Sequence, residues 1–278
     1  MPMRQLIAVC VLLACATWPS AAQQASADAA RESVFDAILE THVRDGLVYY
    51  RALKAERGRL DGYVTSLADR SLENTSRQTQ LAFWLNAYNA MVLKTVVDHY
   101  PIPTRTQDYP AGSIRQIPGA FERTPHRVAR RMLTLDDIEQ KILPGFGEPR
   151  AYLALGRGAM GSGRLRSEVY ATATLDSQLS EIAADCVSHA QCLDIDRANK
   201  QIAISSIFSW RAQDFIGAYA SSAREIFASR SPIERAVVAF VEPRLLTTEK
   251  EFLSMNEFRV AFKPFNWELN DLTGRGGR

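Results

Sequence analysis

Residues 156–163 hold four glycines in eight positions, with Ser162 near the end of the run. Glycine lets other groups approach the backbone closely, so the N–H groups of such a loop can cradle an oxyanion or a bound anion. A serine in that setting becomes a nucleophile only if a base takes its proton. The candidates are few, because the chain has four histidines: His42, His99, His126 and His189. Ser162 with one of them in reach would make a serine-type hydrolase or acyl transferase. Glu139 suits a general base or a ligand, and equally an ion pair with an arginine or a backbone cap. The loop also fits the spacing Gly156-x-Gly158-x-x-Gly161. Without a following helix and an acidic partner about twenty residues on, that spacing is weak evidence for a dinucleotide. Gly161-Ser162-Gly163 lacks the five-residue elbow of the hydrolases.

Four arginines, Arg150, Arg157, Arg164 and Arg166, surround the same loop. They read either as a concave site for an anion or polysaccharide or as a solvated surface. Asn86 and Asn89 stand at i and i+3, on one face of a helix. They are candidates for a polar binding site, or buried amides that hold neighbouring backbone. Cys186 and Cys192 flank His189. An oxidising compartment favours a disulfide between them, since a metal would need a fourth ligand that the spacing does not supply. No metal and no cofactor is expected. Trp84, Trp210 and Trp267 read as core, and Asp214 as structural.

These residues need elements to hold them. Apolar spacing predicts helices over 32–43, 60–67, 79–99, 176–188 and 232–240. The strongest, 79–99, must stop before Tyr100-Pro101-Ile102-Pro103. Thr134 is placed to cap a helix that carries Asp136 and Asp137 in its first turn and runs to Leu143. Short strands are expected over 48–50, 127–133, 201–204 and 260–265, with Ser205 capping a short helix through Trp210. No repeat or low-complexity linker interrupts the chain. The expected architecture is α+β: a single helix-rich domain over 31–278 with short strands and hairpins.

The first residues read as a targeting segment. Arg4 supplies a basic start, residues 6–16 are apolar without a charge, and Ser20-Ala21-Ala22 offers small residues for cleavage. Residues 1–22 are therefore expected to be a secretory signal peptide, followed by a flexible stretch over 23–30. A rival reading makes Leu12-Leu13-Ala14-Cys15 a lipid-attachment motif with the anchor on Cys15. Either way the protein is expected in the periplasm or outside the cell, with an unidentified ligand or protein partner in the cell envelope. No transmembrane segment is expected after signal removal. With 33 basic and 31 acidic residues in 278, the chain does not advertise nucleic-acid binding.

Several blocks in order resemble the domain-of-unknown-function family 547. They begin with Phe83-Trp84-Leu85-Asn86-Ala87-Tyr88-Asn89-Ala90 and Tyr100-Pro101. Ser113-Ile114-Arg115-Gln116-Ile117, Leu133-Thr134-Leu135-Asp136-Asp137-Ile138-Glu139 and the glycine loop follow. Then come Tyr170 with Leu175-Asp176-Ser177-Gln178-Leu179, Ile207-Phe208-Ser209-Trp210 with Asp214-Phe215, and Asn266-Trp267-Glu268-Leu269-Asn270. The resemblance implies a histidine at 140, a histidine at 152, cysteines at 157 and 162 and a proline at 163. This sequence has Gln140, Tyr152, Arg157, Ser162 and Gly163 instead. If the family uses a thiolate with a nearby imidazole, the chain has lost both groups. The resemblance with these departures points to a degenerate, non-catalytic or binding member.

Overall fold

The computed structural model describes residues 21–273, with side chains from Ala29 onward. The expected secretory signal lies, up to residue 20, outside the described residues, as does the rival lipid site at Cys15. The first helix, α1 (Ala21–His42), begins well before the expected start and runs through 23–30, the stretch read as flexible. A tight hairpin follows, β1 (Val43–Arg44) with β2 (Leu47–Val48). Tyr50 then opens α2 (Tyr50–Ala55) rather than extending the strand. After α3 (Gly58–Ser66) comes the centre of the molecule, α4 (Arg77–His99).

The start and end of α4 are written in the sequence. Ser76 caps it by accepting from the Thr79 N–H at 3.1 Å. At the other end Tyr100, held extended before Pro101, breaks the ladder. Residues 84–93 are buried without interruption. A helix buried on every face is enclosed by the rest of the fold rather than lying on its surface. This enclosure brings Asn86, Tyr88 and Asn89 into the core, where each polar group must find a partner.

Around α4 the chain forms β3 (His126–Val128) and β4 (Arg131–Leu133), an antiparallel hairpin. Thr134 caps α5 (Leu135–Asp137) as expected, in a reciprocal capping box with Asp137. The winding then widens into a π turn over Ile138–Ile142 and tightens into a 3₁₀ turn over Leu143–Phe146. The regular helix expected to run to Leu143 is therefore only one turn long. Next come α6 (Arg150–Leu153), the glycine loop and α7 (Leu175–Ser188). A three-stranded sheet joins β5 (Leu193–Asp196), β6 (Gln201–Ser205) and β7 (Arg259–Lys263), with β5–β6 antiparallel and β6–β7 parallel. Between β6 and β7 lie α8 (Ile207–Trp210), α9 (Ala212–Tyr219), α10 (Pro232–Val241) and α11 (Thr247–Ser254).

One continuous apolar core links these parts, as expected for a helix-rich α+β domain. The segment after β7 returns to the opposite end of the chain. Val48 N–H donates to the Asn270 carbonyl at 2.8 Å, and Tyr50 Oη donates to Asn270 Oδ1 at 2.8 Å. Cys186 and Cys192 are joined by a disulfide that ties α7 to β5. No helix among the described residues is long and apolar enough to cross a membrane.

Candidate functional site

The π turn places Glu139 inward and Gln140 outward. Glu139 is 6% exposed and meets two guanidinium groups. Arg157 Nη2 donates to its Oε1 at 2.7 Å and Arg157 Nε to its Oε2 at 3.1 Å. Arg211 Nη2 donates to Oε1 at 3.0 Å, and Tyr88 Oη donates to Oε2 at 3.2 Å. Arg157 is 2% exposed, and its third nitrogen donates to the Tyr152 carbonyl at 3.1 Å. Arg211 lies with its guanidinium carbon 4.8 Å from the Tyr152 ring centre and donates to Gln140 Oε1 at 2.8 Å.

The electrostatics follow from these bonds. Burial alone would push the Glu139 carboxyl up, but the Arg157 and Arg211 charges and hydrogen bonds outweigh it and hold the carboxyl at about 2. Burial likewise opposes the charge on Arg157, and Glu139 overcomes it, so its pKa stays above the ordinary value. Glu139 is locked as an acceptor of four donors. It is therefore neither an acid nor an available base near neutral pH.

The glycine loop is built differently from an oxyanion cradle. Several of its N–H groups are already spent. Gly156 donates to Asn89 Oδ1 at 2.8 Å. Met160 donates to the Glu268 carbonyl at 2.8 Å, Gly161 to Asn266 at 2.8 Å and Ser162 to Ala159 at 3.1 Å. Residues 266–268 thus lie along the loop and take two of its donors. Gly163 presses on Leu153 so closely that a Cβ there would stand 1.6 Å from the Leu153 carbonyl oxygen. The resemblance places a proline at this position, so the loop here has closed in a way that the implied pattern does not allow.

Ser162 Oγ is buried and has no hydrogen-bond partner among the described residues. None of the four imidazoles is bonded to it. His42 Nε2 faces Glu56 at 3.6 Å, and His99 Nδ1 sits against the Thr95 carbonyl at 2.8 Å. His189 lies between the Asp185 carbonyl and Arg164, at 2.8 and 3.1 Å. His126 is held in β3, where burial, helped by Lys94 and opposed by Asp98, lowers its pKa to about 4. Its folded pKa lies below the unfolded value, so the fold favours the neutral ring. The contribution to stability is full above about pH 6.5 and is lost as pH falls towards 4. Urea unfolding measured from pH 7 to 4 is expected to show this loss. In His126→Gln the slope over that interval is expected to be shallower.

The other candidates are placed as structural ties. Asn86 Nδ2 donates to the Tyr170 carbonyl at 2.8 Å while Tyr170 N–H donates back to Asn86 Oδ1 at 2.9 Å. Asn89 spans the Ala154 carbonyl, at 3.1 Å, and the Gly156 N–H. The arginines do not form one anion site. Arg150 is bonded to Glu148, Asp176 and Ser180. Arg164 pairs with Asp45 and Asp185, and Arg166 with Glu168 and Glu181. Arg164 and Arg166 share a groove of about 420 Å³ with those four acids, so carboxylates outnumber guanidiniums there. Trp84 is core, but Trp210 is 46% exposed and tilts against Phe265, with ring centres 4.9 Å apart, so it is a surface residue.

Asn86, Glu139 and Arg157 are thus drawn from one continuous stretch of sequence. Residues 72–187 match the model of the family described as protein of unknown function, DUF547. No curated protein matches the chain, and no solved structure does. Within the DUF547 segment, three of the four positions where a histidine or cysteine was implied, Gln140, Tyr152 and Arg157, meet at Glu139 and Arg211, while the fourth, Ser162, does not. Sequence reasoning flagged all three as departures but missed Arg211 and Tyr88. Arg211 lies beyond the DUF547 segment, and its signal was its place directly after the Ile207-Phe208-Ser209-Trp210 block. Tyr88 lies inside the first block, between two asparagines that drew attention away from it.

Proposed function

We propose that this chain is a non-catalytic, exported member of DUF547 that acts by binding. One observation carries the reading: one of the two positions where the resemblance implies a thiol holds Arg157, buried and doubly bonded to Glu139. A guanidinium in that geometry is neither a nucleophile nor a base. The two positions implied as histidines hold Gln140 and Tyr152, which bond and stack with a second guanidinium, Arg211. Three of the four implied positions thus belong to one buried hydrogen-bonded and stacked network, and the fourth holds Ser162. The signal-like first residues and the Cys186–Cys192 disulfide support a location outside the cytoplasm, in the periplasm or beyond. Cell-envelope components are the expected partners.

The competing chemistry is a hydrolase or acyl transferase through Ser162. Its support, a hydroxyl in a glycine loop, is weakened by the absence of a bonded base. Purified protein treated with a fluorophosphonate probe is expected to show no mass increase on the peptide containing Ser162. Labelling or ester turnover that disappears in Ser162→Ala would overturn the non-catalytic reading.

A further inference from the structure

Another concave surface lies away from the glycine loop. It is a groove of about 680 Å³ between the segment entering α4, the turn of the β3–β4 hairpin and the turn after Ile142. Arg70, Arg77, Arg130, Arg131 and Lys141 line it, against one acid, Glu73. This excess is local, because the whole chain is only +2. Lys141 pairs with Asp137 at 2.6 Å. Arg77, Arg130 and Arg131 have no carboxylate partner among the described residues, unlike the arginines around the glycine loop.

Two of those cations are held out by a strained turn. Ala129 and Arg130 have φ of 48° and 61°, the left-handed region that side chains with a Cβ rarely adopt. The turn is fastened from below: Ala129 N–H donates to the Leu67 carbonyl at 2.9 Å and Arg130 N–H to the Ala68 carbonyl at 2.7 Å. Its side chains are exposed while its backbone is fixed. Across the groove, Arg77 donates to the Gly145 carbonyl at 2.8 Å, and its guanidinium carbon lies 5.2 Å from the Phe146 ring centre. Leu72, Ile142 and Phe146 give the floor an apolar part. Fixed cations without counter-ions, on two opposite walls, suit a ligand with separated negative charges.

We propose that this groove binds a ligand carrying two or more oxyanion groups, phosphate or carboxylate, with the apolar floor taking the part between them. The proposal does not depend on the catalytic state of the chain. It places anion recognition on Arg77, Arg130 and Arg131 instead of Arg150, Arg157, Arg164 and Arg166. The test is calorimetric titration of the intact protein with tripolyphosphate and with citrate, at low and high salt. Saturable binding is expected, weaker at high salt, and weakened about tenfold for each guanidinium removed. Arg130→Gly removes a charge while easing the positive φ, so its loss of affinity cannot be put down to a damaged fold. Arg131→Ala should add to it, and Arg150→Ala should leave binding unchanged. Co-sedimentation with phosphatidylglycerol vesicles separates the sources. Sedimentation lost in Arg130→Gly assigns the oxyanions to a lipid surface, and soluble-anion binding without sedimentation assigns them to a free ligand. No saturable binding of either kind, or binding indifferent to Arg130→Gly and Arg131→Ala, would overturn the site.

Discussion

Glu139→Gln is expected to lower the unfolding free energy by about 3–5 kcal/mol, as befits the loss of one partner from a buried ion-pair cluster. The substitution keeps the size of the side chain and removes only its charge. It leaves Arg157 and Arg211, both under a tenth exposed, facing each other across a neutral amide. The amide can accept through one oxygen only, so donors that now meet Oε1 and Oε2 compete or point at another donor. The urea midpoint should fall while the dependence on urea stays the same. The pH response supplies a second readout. The folded pKa of Glu139, about 2, lies below its ordinary value of 4.5, so its stabilisation is complete above about pH 4.5 and is lost as pH falls towards 2. That acid limb should be missing in Glu139→Gln. A double change, Glu139→Leu with Arg157→Met, should cost much less than Glu139→Gln, because no charge of the pair is left behind. A midpoint unmoved by Glu139→Gln would mean that the cluster is solvated and the core position of Arg157 misread.

The second large effect is expected at Asn86. Asn86→Ala should cost about 3 kcal/mol, because it orphans both the N–H and the carbonyl of Tyr170 in a dry interior. Asn86→Asp should do no better. A carboxylate can still accept from Tyr170 N–H, but its other oxygen would face the Tyr170 carbonyl in a site only 3% exposed. Asn89 is coupled to this tie, since Tyr170 Oη and Asn89 Nδ2 both donate to the Ala154 carbonyl, at 3.3 and 3.1 Å. Denaturation of both single variants and of the Asn86→Ala/Asn89→Ala pair should therefore give a non-additive cycle, by at least about 0.5 kcal/mol. Additive losses would show that the two amides hold the loop independently.

Much of the fold was legible because its signals are local. Tyr100-Pro101 ends α4 and Thr134 caps α5, both local signals, whereas the caps at Ser76 and Ser231 were not among the expectations. The π turn was not legible: it differs from an α turn by one residue of winding, which apolar spacing does not record. The site divided in the same way. The departures at 140, 152 and 157 could be read from the sequence, but not that they converge. Their meeting point depends on Arg211, which lies 72 residues from Glu139 along the chain. The arginines around the glycine loop looked like an anion site because their neutralising acids, Asp45 and Glu181 among them, come from other elements. Conversely, Arg130-Arg131 fell inside the strand expected over 127–133 and were not singled out, and it is the positive φ of Ala129 and Arg130 that shows how they are presented.

The collision beneath Gly163 bears on the chain's possible histories as well as on its packing. A proline there cannot fit unless Leu153 withdraws, and Leu153 is 1% exposed at the end of α6. Returning a cysteine to 157 removes one of the two guanidiniums that neutralise Glu139. Either of these two steps towards the implied pattern thus passes through a protein less stable than the present one. The arrangement works as a ratchet: the packing around 163 and 157 penalises either change made alone. Rebuilding the implied pattern on this scaffold would therefore call for changing residues 152–165 together with the partners of Glu139 and Arg211.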